Sequence, residues 1–179
     1  TRRGSDFSFS VSLTPPYSLF DKKDYSDPSL PIADRYRFIE YHKWKYSGKV
    51  FLPLMNPATV KRTPVLMARV EGGIINSYNK YKRSPFGTYY MGGDMMSGSF
   101  GNYMNETIGL RGYKNGSIAG ANYDYAYSYM KASLELRYPL IFEQSTTVWV
   151  LGFAEAGNAW ADISRYNPFD LKRSAGIGV

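Results

Sequence analysis

Residues Ser84–Tyr113 read SPFGTYYMGGDMMSGSFGNYMNETIGLRGY. A connection of this length exceeds the roughly 12–15 residues beyond which an irregular loop is uncommon unless it is functional or disordered. Its large side chains, Tyr89, Tyr90, Met91, Met95, Met96, Phe100, Tyr103, Met104, Ile108, Leu110 and Tyr113, are the opposite of a disordered composition. Its glycines, Gly92, Gly93 and Gly109 among them, permit sharp turns and close backbone approach. The reading is an ordered loop folded back against the rest of the chain. Near its end Arg111 stands between Gly109 and Gly112, beside Leu110 and Tyr113. A planar cation at a tight turn suits bidentate contact with a carboxylate.

Working outward, the flanking segments alternate apolar and polar residues with period two, the mark of strands. Strands are expected near 7–13, 39–52, 65–75, 123–138, 146–160 and 171–179, with the long loop over 77–121, and no helix is expected. Phe7, Phe9, Val11 and Leu13 share one face against Ser8, Ser10 and Ser12; His42, Trp44, Tyr46, Val50 and Leu52 oppose Lys43, Lys45, Ser47 and Lys49. Leu66, Ala68, Val70 and Ile74 oppose Arg69, Glu71 and Gly73. In the fourth strand Lys131, Ser133, Glu135 and Arg137 share the parity of Tyr123, Tyr125, Tyr127 and Tyr129, and Pro139 is expected to end it. In the fifth, Glu155 shares the parity of Trp149, Leu151 and Phe153.

An all-β chain with one apolar and one charged face per strand fits two architectures. In a soluble sandwich the charged face is outside. In a transmembrane barrel the apolar face meets lipid and the charged face lines the lumen, with strands of about 9–11 residues. The long strands, the Tyr and Trp at their ends, and connections alternating long and short favour the barrel. A tyrosine-bearing soluble β-sandwich glycan-binding module is the alternative. Glu135 and Glu155, on neighbouring strands, are then lumen carboxylates within reach of Arg111.

Composition narrows the rest. The 179 residues carry a net charge of +7, no Cys and one His. They suit one domain and exclude disulfide scaffolds and thiolate metal sites. Lys and Arg are spread out, with short clusters at Lys80–Arg83 and Lys22–Lys23, which argues against nucleic acid. Asp21, Asp24 and Asp27 lack the spacing of a calcium loop, and His42 has no neighbouring ligands, so no metal is expected. Gly92-Gly93-Asp94 lacks the strand-to-helix setting of a phosphate loop, and Asn105-Glu106-Thr107 and Asn115-Gly116-Ser117 are read as chance sequons. Glu135 and Glu155 resemble a glycosidase pair only in type; with Arg111 as their partner, no enzyme and no cofactor are expected. The Tyr123–Tyr129 comb suits either a sugar platform or, better, a half-wet rim packed against the loop.

These elements also carry a resemblance. Tyr90-Met91-Gly92-Gly93, Leu110-Arg111-Gly112-Tyr113, Ala132-Ser133-Leu134-Glu135, Phe153-Ala154-Glu155-Ala156-Gly157-Asn158-Ala159-Trp160 and Arg173-Ser174-Ala175-Gly176-Ile177-Gly178 stand in an order similar to that of the C-terminal barrel of the bacterial outer-membrane assembly factor (BamA) family. The resemblance covers the chain from about Val65 onward. It implies about six strands of a sixteen-strand barrel, strands nine to fourteen, with the loop folded into the lumen. It implies that Arg111 is the tip cation of a V-R-G-F-type motif, with Leu110 and Tyr113 replacing Val and Phe. Glu135 and Glu155 become its wall partners, Glu155 standing where the family has Asp. It further implies an insertase working in outer-membrane lipid on nascent outer-membrane β-barrel proteins. Accessory assembly lipoproteins and periplasmic POTRA domains of the same full-length protein are the implied partners. The related translocators, of two-partner secretion or TamA type, share the barrel and loop and are the closest alternative.

Overall fold

The computed structural model describes residues 3–25, 27–60, 62–78, 83–94, 105–118, 125–143 and 146–179. Its strands are β1 (Gly4–Leu13), β2 (His42–Pro53), β3 (Val65–Asn76), β4 (Thr88–Met91), β5 (Asn105–Ile108), β6 (Ser128–Phe142), β7 (Thr147–Trp160) and β8 (Lys172–Gly178). Six of them form one antiparallel sheet in the order β1-β2-β3-β6-β7-β8. Each of the six therefore pairs with the next of them in the chain, the simplest meander. Strands β1, β2, β3, β6 and β7 run 10, 12, 12, 15 and 14 residues. That is about twice the usual five or six and enough for a tilted membrane crossing of about 9–11. Among the described residues the sheet does not close on itself; β1 and β8 are its edges.

The register decides which face is which. Lys49 opposes Arg69, Arg69 opposes Ser133, Ser133 opposes Glu155, and Glu155 opposes Ser174, so all five point the same way. The opposite face carries Phe7, Leu13, Leu134 and Ile177, which are 75%, 62%, 52% and 89% exposed. A sandwich needs a second sheet over that apolar face. Among the described residues the only cover lies on the charged side, which is the barrel-wall arrangement and not the sandwich.

That cover is the long loop. Strands β4 and β5 pair in parallel, and β4 is stitched to residue 126 by reciprocal backbone bonds between Tyr89 and Ala126, each 2.8 Å. Tyr89, Met91, Leu110 and Ile75 are fully buried and form the core with Ile108, Ile118, Ala126, Tyr129 and Ala159. The core thus lies between the loop and the inner wall. Gly73 provides the recess: an added Cβ there would fall 2.8 Å from Tyr129 Cε1 and collide with the Tyr89 ring, whose centroid sits 4.5 Å from that of Tyr129. Gly152, on the bare face, has nothing within 4 Å of such a Cβ. Gly73→Ala is therefore expected to lower stability by about 1–3 kcal/mol through overpacking, and Gly152→Ala to be near neutral, read as denaturant midpoints of the folded protein.

Several expectations are corrected. Short helices do occur: α1 (Tyr17–Asp21), α2 (Ile32–Arg35) and a 3-10 turn at Ile163–Arg165. The first two start directly after Pro16 and Pro31, residues with a helix-compatible φ and no N–H to satisfy. The 3-10 turn is capped by Asp162, which accepts from Ser164 N at 3.0 Å. β2 begins at His42 and not at 39, because Glu40 turns away to accept from the Ser18 N–H and hydroxyl. β6 begins at Ser128 and not at 123; residues 121–124, with Tyr123 of the comb, lie outside the described residues, as do Met95, Met96, Phe100, Tyr103 and Met104. Pro139 does not end β6, which continues to Phe142 across a register shift between Pro139 and Ile141, the irregularity that a residue without an N–H imposes.

Candidate functional site

Arg111 reaches the wall at the tip of the loop. Its Nη2 donates to Glu135 Oε1 at 2.6 Å and to Glu155 Oε1 at 2.7 Å, and its backbone N–H donates to Glu155 Oε2 at 2.9 Å. The guanidinium carbon lies 3.7 Å from the centre of the Phe153 ring, a stacked geometry open to Arg and not to Lys. β6 and β7 place these partners: Glu135 opposes Phe153, and Glu155 is two residues further along the same face. The carboxylates are 9% and 3% exposed, the guanidinium side chain 30%.

Three further groups complete the cluster. Arg137 donates to Glu135 Oε2 through Nε and Nη2, at 2.8 and 2.5 Å. Lys131 Nζ lies 3.2 Å from Glu155 Oε1 and donates to the Gly109 carbonyl at 2.6 Å. Ser133 donates to Glu155 Oε1 at 3.3 Å. Three cations thus surround two carboxylates, and every carboxylate oxygen is used. Buried charge is tolerated only when satisfied in this way. Sequence parity places Phe153, Lys131, Ser133 and Arg137 on the same strand faces as the two acids but does not assign them to the cluster. The signal was present, since Ser133, Arg137 and Phe153 lie two residues from an acid on the same strand face and Lys131 lies four from Glu135.

The glycines shape the tip. Gly112 has φ +86, and an added Cβ would meet Ser174 Cβ at 3.3 Å; Tyr113 follows and donates its hydroxyl to the Arg173 carbonyl at 2.9 Å. Gly93 has φ +83 and bridges to Leu110, and a Cβ there would overlap the Asn115 side chain. Gly92 is buried against the Lys114 carbonyl and donates its N–H to the Ile108 carbonyl at 2.9 Å.

A second ionic contact, unforeseen, holds the root of β5. Glu106 pairs with Lys43 at 2.8 Å and with Lys45, both on β2. Lys43 also donates to the Gly87 carbonyl at 2.7 Å and stands 4.9 Å over the Tyr89 ring. Burial works against the Glu106 carboxylate, but hydrogen bonds from the two lysines outweigh it and hold its pKa below the ordinary 4.5. A depressed carboxylate contributes stability above its unfolded pKa and loses it as pH falls through the folded one. Loop docking is therefore expected to be constant from neutral pH to about 4.5 and to weaken only below that. Labelling of a cysteine placed at Thr107 would report it. At the mouth of the loop Arg83 donates to Asp162 at 2.7 Å and holds that carboxyl down at about 2.

Among the described residues no cluster of three His, Cys, Asp or Glu could hold a metal, and no helix is long and apolar enough to cross a membrane.

A meander with long strands, a bare apolar face and a loop strapped over its charged face belongs to the outer-membrane barrel class. A model of the Omp85 superfamily domain matches residues 3–179, and the chain belongs to that superfamily, whose members insert or translocate proteins at the outer membrane. No curated protein matches the chain.

Proposed function

We propose that the chain is the loop-bearing wall of an outer-membrane β-barrel assembly factor, an insertase of the BamA kind. The observation that carries this reading is the Arg111 guanidinium joined to Glu135 and Glu155 on adjacent strands. In this role the cluster holds the loop in one position inside the lumen while the barrel's outer face stays in outer-membrane lipid. The apolar residues of β1, β6 and β8 supply that lipid contact. Nascent β-barrel proteins are the clients, accessory lipoproteins and POTRA domains of the full-length protein the partners, and no cofactor takes part.

The test is reconstitution. The full-length protein, placed in liposomes of outer-membrane phospholipid, is expected to accelerate folding of a urea-unfolded small outer-membrane barrel at least tenfold over empty liposomes. Passage of an unfolded exoprotein into the vesicle lumen, with no acceleration of barrel folding, would instead assign a translocator of two-partner secretion or TamA type.

A further inference from the structure

The loop touches the wall strand by strand, in the order of the sheet. Glu106 meets Lys43 and Lys45 on β2. The Gly109 carbonyl takes Lys131 on β6. Arg111 meets Glu135 on β6 and Glu155 on β7. The Tyr113 hydroxyl donates to the Arg173 carbonyl on β8. Only β3 is passed over by these polar contacts; its Glu71 is held by Arg69 of the same strand at 2.5 Å.

The lengths match such a crossing. β2 and β7 are three strand spacings apart, about 14 Å around the wall at roughly 4.8 Å each. Lys49, not Lys45, lies on the row of Glu155. Lys45 and Lys43 are four and six residues from that row, so the two anchors are also offset along the strands, by about 13–20 Å at roughly 3.3 Å per residue. The diagonal is about 19 Å to Lys45 and about 25 Å to Lys43. The five steps along the chain from Glu106 to Arg111 reach at most about 18 Å, and the long Lys, Glu and Arg side chains close the remainder. Backbone ladders fix strand spacing but leave twist soft, with neighbouring strands rotated anywhere from about 10 to 35°. A diagonal tie removes that freedom, because splaying or sliding the strands lengthens the diagonal.

We propose that residues 106–113 are a tie that sets the curvature of the wall between β2 and β8, and that Glu106 is its second positioning residue, acting from the end opposite to Arg111. The inference rests on the loop lying in the lumen of the intact barrel, as in the function proposed above. It requires nothing about what the barrel inserts.

Spin labels at Ser12→Cys on β1 and Lys172→Cys on β8, both exposed, report the wall directly in the full-length protein in lipid nanodiscs. Glu106→Gln keeps the shape of the side chain and removes its charge. It is expected to displace the mean interlabel distance by about one strand spacing, ~5 Å, or to double the width of the distribution. Lys43→Met with Lys45→Met should give the same change, and the three substitutions together no more, because they remove one interaction. An unchanged distribution in Glu106→Gln, or effects that add, would overturn the tie. Barrel-folding activity measured on the same samples tests the proposed function separately: loss of the distance effect with activity retained sinks the tie alone.

Discussion

Arg111→Ala is expected to destabilise the folded barrel by about 2–4 kcal/mol and to abolish or severely reduce function. The substitution removes two charge-assisted side-chain hydrogen bonds, each worth about 1.5–3 kcal/mol, and leaves the facing acids short of a partner in a nearly closed site. The loss falls short of the roughly 3–5 kcal/mol typical of a stripped buried ion pair, because Arg137 still serves Glu135 and Lys131 still serves Glu155. Arg111→Lys restores the charge but neither the reach that sets one guanidinium nitrogen, Nη2, between both acids nor the planar stacking on Phe153, so less than half of the loss should return. The measurement is the fraction of full-length protein that migrates as a compact, heat-modifiable species, together with growth of cells in which this copy is the sole source of the activity. Wild-type compactness and growth in Arg111→Ala would remove the tip contact from any functional account.

The two acids should not be equivalent, and the second prediction turns on that difference. Glu155 accepts from the Arg111 backbone, the Arg111 guanidinium and Ser133, and is paired with Lys131. Glu135 accepts from Arg111 and Arg137. Glu155→Ala leaves the part-buried Arg111 backbone N–H without its acceptor and two cations facing one another, at about 3–5 kcal/mol. Glu135→Ala leaves Arg111 its Glu155 contacts, while the half-exposed Arg137 turns to water, at about 1–2 kcal/mol. Charge reversal sharpens the comparison. Arg111→Glu combined with Glu155→Arg should recover more folded protein than Arg111→Glu with Glu135→Arg. Equal losses for the two alanine variants would mean that the carboxylates act as generic lumen charge and not as defined acceptors.

The strand faces were legible because period-two alternation is strong wherever one side is apolar. Phe7–Leu13 and Lys43–Lys49 point as their parity requires. The Arg111 contacts were legible for the same reason, since parity put Glu135 and Glu155 on the loop side before any geometry was known. The ends of elements were not. Pro139 lies inside β6 because the strand takes up one extra residue, Leu140, beside it and then resumes pairing with β7, an accommodation set by tertiary pairing. The helices after Pro16 and Pro31 are one turn each, too short for a 3.6-residue period to show. The parallel β4–β5 ribbon was also out of reach, because its strands are four residues each, too short for a period of two to show. The contact of Glu106 with Lys43 and Lys45 on β2 follows only from the ribbon's register.

The unequal connections between strands carry a directional consequence. Residues 14–41, 77–127 and 161–171 link the strands at one rim, and 54–64 and 143–146 at the other. Outer-membrane barrels keep short turns on the periplasmic side, so the chain has an inherent sidedness. A protease supplied to intact cells should cut within 14–41 or 161–171 and spare 143–146. Epitope tags spliced into the first two should be stained without breaching the envelope.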